Sequence, residues 1–130
     1  MGKYLGIDYG AKRIGLAVAD SETKLARPLN TLTGVDKLAD TIKREGPFDA
    51  VVVGLPRSLD GSETPQTLAV RHFADDILWR KLKIDAVFQD EAGTSSLAEE
   101  RLQEAGKPYE KADIDAEAAV IILQDYLDQL

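Results

Sequence analysis

The sequence predicts an α/β fold: a mixed five-stranded sheet in the order β-β-β-α-β-α-β-α-α, with helices on both faces. Three observations predict it. Strand-like stretches follow one another within the first 33 residues with only turn-length gaps, the pattern of an antiparallel meander. From residue 35 onward, helical periodicity alternates with short apolar runs, and helical crossovers imply parallel pairing among the first, fourth and fifth strands. No repeat, low-complexity tract or Pro/Gly/Ser-rich linker interrupts the chain, so residues 1–130 are expected to form a single domain.

Each element can be justified in turn. Residues 4–7 and 14–19 read as two strands around a glycine-containing turn. In the second, Ile14, Leu16 and Val18 alternate with Gly15, Ala17 and Ala19, giving one bulky face and one face open to close packing. A third strand lies within residues 25–33, and Pro28 places it at an edge. Val35, Leu38, Ala39 and Ile42 form the stripe of an amphipathic helix that Gly46 and Pro47 end. Residues 50–54 are an apolar β-branched run suited to a strand buried on both faces. Thr64 and Pro65 are a helix cap and first residue, and the helix to about residue 80 presents Ala69, Phe73 and Ile77. Ile84, Ala86 and Phe88 make the fifth strand. Ser96 and Glu99 have capping-box spacing ahead of a helix with Ala98, Leu102 and Ala105 inward. A final helix starts near Asp115.

Composition narrows the function. The 130 residues include no cysteine and one histidine, so thiolate zinc sites and clustered imidazole sites are excluded. The missing cysteines also suit a reducing cytoplasm, and no stretch reaches the length of a membrane span. The net charge of −7 argues against generic phosphate-backbone binding. It is uneven, however, at +2 over residues 1–57 and −9 over 58–130. A nucleic-acid partner therefore needs a local basic surface, or metal ions to offset carboxylates.

Ligands in open α/β sheets gather beyond the carboxyl ends of parallel strands. There the first strand ends at Asp8, the fourth leads to Arg57, and the fifth leads to Asp90 and Glu91. The predicted topology brings Asp8 and Glu91 together, and the final helix can add Asp115 from its first turn. Convergent carboxylates repel and call for a cation, and hard oxygen ligands select Mg2+ or Mn2+. Two such ions can drive in-line phosphoryl displacement. Taken singly, each acid also reads as a turn former, a solvated loop residue or a helix cap, Asp113 and Asp115 alike. Gly10 with Lys12 and Arg13 reads either as a phosphate-facing turn or as a solvated hairpin tip. Arg57 and the loop after it have the same two readings. His72, Phe73, Trp79 and Phe88 read as structural.

With these pieces in place, the chain resembles the Holliday-junction-resolvase-like proteins of the YqgF group, also described as pre-16S rRNA nucleases. Four segments carry the resemblance: GIDYGAKRIGLAVAD at residues 6–20; VGLP at 53–56 with DGS at 60–62; DE at 90–91 followed by Thr94 and Ser95; and DAEAA at 115–119 before ILQDYL at 122–127. The resemblance implies an RNase H-like fold, metal-assisted nuclease chemistry and a role in 5′-end maturation of ribosomal RNA. Its acidic triad falls on Asp8, Glu91 and Asp115, the last preferred to Asp113 because it stands three residues before Ala118. Gly10, Lys12, Arg13, Arg57, Thr94 and Ser95 are the accompanying substrate-binding candidates. One departure stands out: the family usually has arginine directly after the Asp-Glu pair, and here the residue is Ala92. Arg13 and Arg57 are the candidate replacements for that phosphate clamp.

The expected substrate is pre-rRNA, with junction or single-stranded DNA as alternatives. Several apolar helix faces are compatible with a homodimer. A non-catalytic RNA- or ribosome-assembly-binding factor is the competing reading, favoured by the acidic total and Ala92. An actin-like ATPase shares the glycine-aspartate hairpin but needs two such domains.

Overall fold

A computed structural model describes residues 2–130. Three strands open the chain: β1 (Lys3–Tyr9), β2 (Ile14–Asp20) and β3 (Arg27–Leu32). Helix α1 (Leu38–Glu45) leads to β4 (Ala50–Pro56), and α2 (Pro65–Phe73) leads to β5 (Val87–Glu91). Two helices, α3 (Thr94–Ala105) and α4 (Lys111–Asp128), complete the order. The sheet runs β3-β2-β1-β4-β5. β1 pairs antiparallel with β2, and β4 lies parallel to both β1 and β5, as the crossover argument requires. The predicted mixed five-stranded sheet is therefore the one observed.

Alternation along the strands sorts the two faces. Leu5, Ile7, Ile14, Leu16, Val18, Val51, Val53 and Leu55 pack against Leu38 of α1 and Val70 and Phe73 of α2. Each such side chain contributes roughly 1.5–3 kcal/mol when fully buried. On the opposite face Ala17, Ala19 and Val52 meet Ala119, Ile122, Leu123 and Leu127 of α4. α3 covers α4 in turn, through Ala98 against Ala118 and Ile121.

Several elements depart from expectation, each for a local reason. The first helix begins at Leu38, after one 3₁₀ turn over Val35–Lys37, and buries Leu38 and Thr41. After Phe73 the second helix widens to i→i+5 hydrogen bonding over Ala74–Lys81. That widening turns Ala74 and Leu78 into the core, while Trp79 stays 52% exposed. Trp79 is thus not a core residue, and Phe88, 37% exposed with Arg71 over its ring, is only partly one. Lys83 at φ 59 reverses the chain, so β5 starts at Val87 rather than Ile84. The amide of Ile84 donates to Leu78 O and ties that reversal to the helix end.

Both late helices start earlier than expected. α3 begins at Thr94, which places Ser96 inside its first turn, so the Ser96–Glu99 capping box does not form. Glu99 instead accepts from the Tyr109 hydroxyl at 2.9 Å, and Ala105 is exposed. α4 begins at Lys111, capped by a reciprocal Glu110–Asp113 pair. Asp113 is therefore a capping residue, and Asp115 belongs to the second turn rather than the first. His72 lies on α2 and is exposed. Pro28 lies in edge strand β3 as expected, beside a register shift between Leu16 and Ala17.

Candidate active site

The site is built where α4 comes down onto the sheet, and three glycines permit the approach. Gly15 lies opposite Asp8 in the β1–β2 pair. A Cβ on Gly15 would stand 2.0 Å from the Asp115 carbonyl oxygen, so α4 rests on bare backbone there. Gly6 meets Leu123 and Ala119 in the same manner, and Gly54 meets the Ile122 side chain. The small residues that read as open to close packing in the sequence are thus what sets Asp115 beside Asp8.

These two carboxylates form an electrostatically unfavourable pair. The Asp8 carboxyl is pushed up to about 6, first by burial and then by the charge of Asp115. Arg13 supplies partial compensation: its Nε donates to Asp115 Oδ2 at 2.5 Å. Its side chain is 37% exposed at the rim.

Glu91 closes β5 and pairs with Pro56 of β4. Asp8 follows the Ile7–Val53 pair and is therefore level with Gly54, which is level with Gln89. Glu91 consequently starts two strand spacings (~10 Å) across and two residues (~7 Å) along from Asp8. Gly54, between them, raises no side chain, and the Ile122 side chain of α4 lies over it, so the floor there is apolar. The Glu91 Oε2 accepts the Thr94 hydroxyl at 3.0 Å, while its Oε1 is buried without a hydrogen-bond partner. Burial, followed by the facing Asp125 carboxyl, pushes Glu91 up to about 8. Among the described residues no three acidic or imidazole side chains are close enough together to hold a metal ion. The strand offset and the turn of Glu91 toward Asp125 account for that.

A cavity of about 490 Å³ opens over this floor, and all nine residues singled out from the sequence line it: Asp8, Gly10, Lys12, Arg13, Arg57, Glu91, Thr94, Ser95 and Asp115. Their circumstances differ. The Gly10 amide donates to Arg13 O and closes the β1–β2 turn. Lys12 is exposed and, among the described residues, pairs with no carboxylate. Arg57 is engaged by Asp90 at 3.1 Å, by Glu63 at 3.9 Å and by Gly61 O at 3.3 Å. Ser95 lies exposed on the first turn of α3. Two further residues are not marked by the sequence. Gln66 lines the cavity and donates to Tyr9 O at 3.1 Å. Asp125 faces Glu91 from α4; it lies inside the ILQDYL segment, but helical spacing marks only its apolar neighbours.

The donor set suits a hard divalent cation at Asp8 and Asp115. Two adjacent carboxylates raise each other's cost of ionisation, and a cation relieves it. The orphaned Glu91 Oε1 belongs to a third carboxylate that lines the same cavity.

The sheet order, the helices on its two faces and this acidic edge define the class, a resolvase-like RNase H fold. Solved structures with that fold superpose over nearly the whole chain. The RuvC structure of Thermus thermophilus matches with a TM-score of 0.55 at 15% identity, covering 98% of this chain and 95% of that one. A fowlpox virus resolvase, solved with Holliday junction DNA, matches at 0.53 and 12% identity, covering 98% and 97%. The sequence also matches, over residues 2–129, the family described as "RuvX: Holliday junction resolvase". The chain belongs to that RuvX family. Relatives named "Putative pre-16S rRNA nuclease" include one from Porphyromonas gingivalis, 40% identical over 98% of this chain and 97% of its own length. One from Sulfurihydrogenibium sp. is 37% identical over 100% and 92%.

Proposed function

We propose that the protein is a divalent-metal-dependent nuclease that hydrolyses phosphodiesters in precursor 16S rRNA during 5′-end maturation. The observation that carries this reading is the Asp8–Asp115 pair, brought together at the carboxyl edge of a parallel sheet inside one cavity. The names of the relatives supply the substrate. No described helix is long and apolar enough to cross a membrane, and we place the activity in the cytoplasm with ribosome assembly.

Asp8 and Asp115 would hold Mg2+ or Mn2+, with Glu91 as the third ligand once its side chain turns from Asp125. When bound, the metal supplies an activated water and charge neutralisation at the leaving oxygen. Asp8, buried and near its neighbour, is the carboxylate most relieved by that charge. Lys12 and Arg13 sit on one rim and Ser95 on the other, positioned to hold phosphate oxygens on either side of the scissile bond, and Thr94 joins Ser95 once Glu91 turns and releases its hydroxyl. Arg57, tied to Asp90 and Glu63, shapes the loop wall.

End-labelled precursor rRNA and a four-way DNA junction, each incubated with Mg2+, Mn2+ or EDTA, test this reading. Metal-dependent cleavage of the rRNA by wild type, lost in Asp8→Asn, is the expected result. Preferential cutting of the junction would move the substrate to DNA. A second reading, a non-catalytic RNA-binding factor, draws on Ala92 and on Glu91 facing Asp125 rather than Asp8. Tight binding of the rRNA with no cleavage under either metal would establish it.

A further inference from the structure

Two guanidiniums line the cavity, and they are held in different ways. Arg57 is bound by Asp90 and Glu63 and by a loop carbonyl, none of which belongs to the acidic pair. Arg13 has one carboxylate partner, Asp115, through a single Nε contact, and the rest of its guanidinium group is free of protein partners among the described residues. Asp115 is also the carboxylate whose charge acts on Asp8. Arg13 is therefore the internal cation of a site that carries an excess of negative charge. A divalent ion entering between Asp8 and Asp115 would compete for the same Oδ2 and, by its charge, repel the guanidinium.

From this geometry we infer that Arg13 is an exchangeable counter-cation: it holds Asp115 while the metal is absent, and metal binding hands it over to a phosphate of the nucleic acid. Arg13 is partly exposed and follows Lys12 in a turn closed by the Gly10 amide, so release leaves its backbone anchored while the side chain reaches the rim. The exchange gives the protein a way to keep its phosphate clamp withdrawn until the site is loaded. Arg57 cannot serve in this way, because a metal at Asp8 and Asp115 touches none of its partners. Nor can Lys12, which has no carboxylate to leave. The inference rests on the metal-binding reading above and adds a direction of coupling to it.

Linkage makes the claim measurable without catalysis. If metal frees Arg13 for phosphate, then phosphate ligands must tighten metal binding by the same factor, typically 5- to 150-fold for coupled sites. The probes are Mn2+, followed by calorimetry and by its paramagnetic resonance signal, and a fluorescein-labelled 2′-O-methyl RNA oligonucleotide followed by anisotropy. In wild type, Mn2+ should strengthen oligonucleotide binding about 10-fold, and the oligonucleotide should strengthen Mn2+ binding equally. In Arg13→Gln, Mn2+ alone should bind more tightly, because its competitor is gone. The mutual strengthening should shrink to what the metal's own charge provides, and Arg13→Lys should restore part of it. Thermal melts of each variant separate these effects from misfolding. Unchanged or weakened Mn2+ affinity in Arg13→Gln, with binding still lost in Asp8→Asn, overturns the exchange and leaves the metal site standing. Wild type that binds no Mn2+ overturns both.

Discussion

The two faces of the sheet are built from different materials and carry different duties. The face toward α1 and α2 is paved with Leu, Ile and Val, and its worth is the area it removes from water. The face toward α4 is paved with Gly and Ala, buries less per residue and brings backbone against backbone. Asp8 and Glu91 belong to the second face, and Asp115 descends onto it. Strand alternation makes the assignment unavoidable: Asp8 shares its face with Gly6, and Glu91 shares its face with Gln89. Substitutions on the first face should cost stability alone, whereas those on the second should cost geometry as well.

The largest test of that contrast is Gly15→Val. Its side chain cannot coexist with the Asp115 carbonyl, and the strain should cost about 4 kcal/mol or more, or lift α4 off the sheet. Denaturant unfolding should report the loss, and cleavage should vanish even in molecules that remain folded. Leu16→Ala, on the neighbouring residue but the other face, should cost about 3 kcal/mol. Its cleavage rate per folded molecule should match wild type; a rate that falls in step with Gly15→Val would erase the distinction between the faces.

Asp8→Asn should move stability in the opposite direction. Because the folded carboxyl is raised to about 6 from 3.8, the folded state keeps a proton that the unfolded chain has already shed. Stability from this group is therefore present at low pH and lost as pH rises from about 4 to about 6. In EDTA at pH 7.5 the variant should be more stable than wild type by about 3 kcal/mol, and at pH 4 the difference should disappear. Added Mg2+ should raise the melting temperature of wild type and leave Asp8→Asn unmoved. The smallest effect concerns Thr67, fully buried on α2, whose hydroxyl donates to Pro56 O and also joins the Thr64 cap. Thr67→Val should cost about 1–2 kcal/mol in a melt, with cleavage retained.

Much of this contrast is legible in the amino-acid sequence. The alternation of Ile14, Leu16 and Val18 with Gly15, Ala17 and Ala19 displays both faces within six residues, and crossover length dictates the parallel order. What the sequence does not reveal depends on non-local geometry. Lys83 at positive φ and the widened turn before it shift β5 by three residues, and neither has a local signature. Thr94 reads as a residue ahead of its helix, yet it opens α3 and its hydroxyl is committed to Glu91. The acidic residues can be found because sheet topology gathers strand ends. Their separation cannot, because it depends on register, and register places Glu91 two residues past the level of Asp8. Asp125 escapes notice because an acid amid an apolar stripe reads as the solvated side of a helix.

The seating of α4 also says how such a protein would fail with age, heat or mutation. Its far end is fastened by Gln124, which accepts from the Ala26 amide and donates to Lys24 O. Its near end bears on Gly15. Between these ends Ala119 and Leu123 bear on Gly6, and just before Asp115 the Thr31 hydroxyl donates to Ala112 O at 2.7 Å, so the helix is a beam seated along its length with Asp115 between two of its supports. A loosening at Gln124 lies more than two helical turns from Asp115 but beside Asp125, so it is felt first where Asp125 faces Glu91 and then along the beam at Asp115. Activity should therefore fade while the molecule still looks intact by every bulk measure of folding.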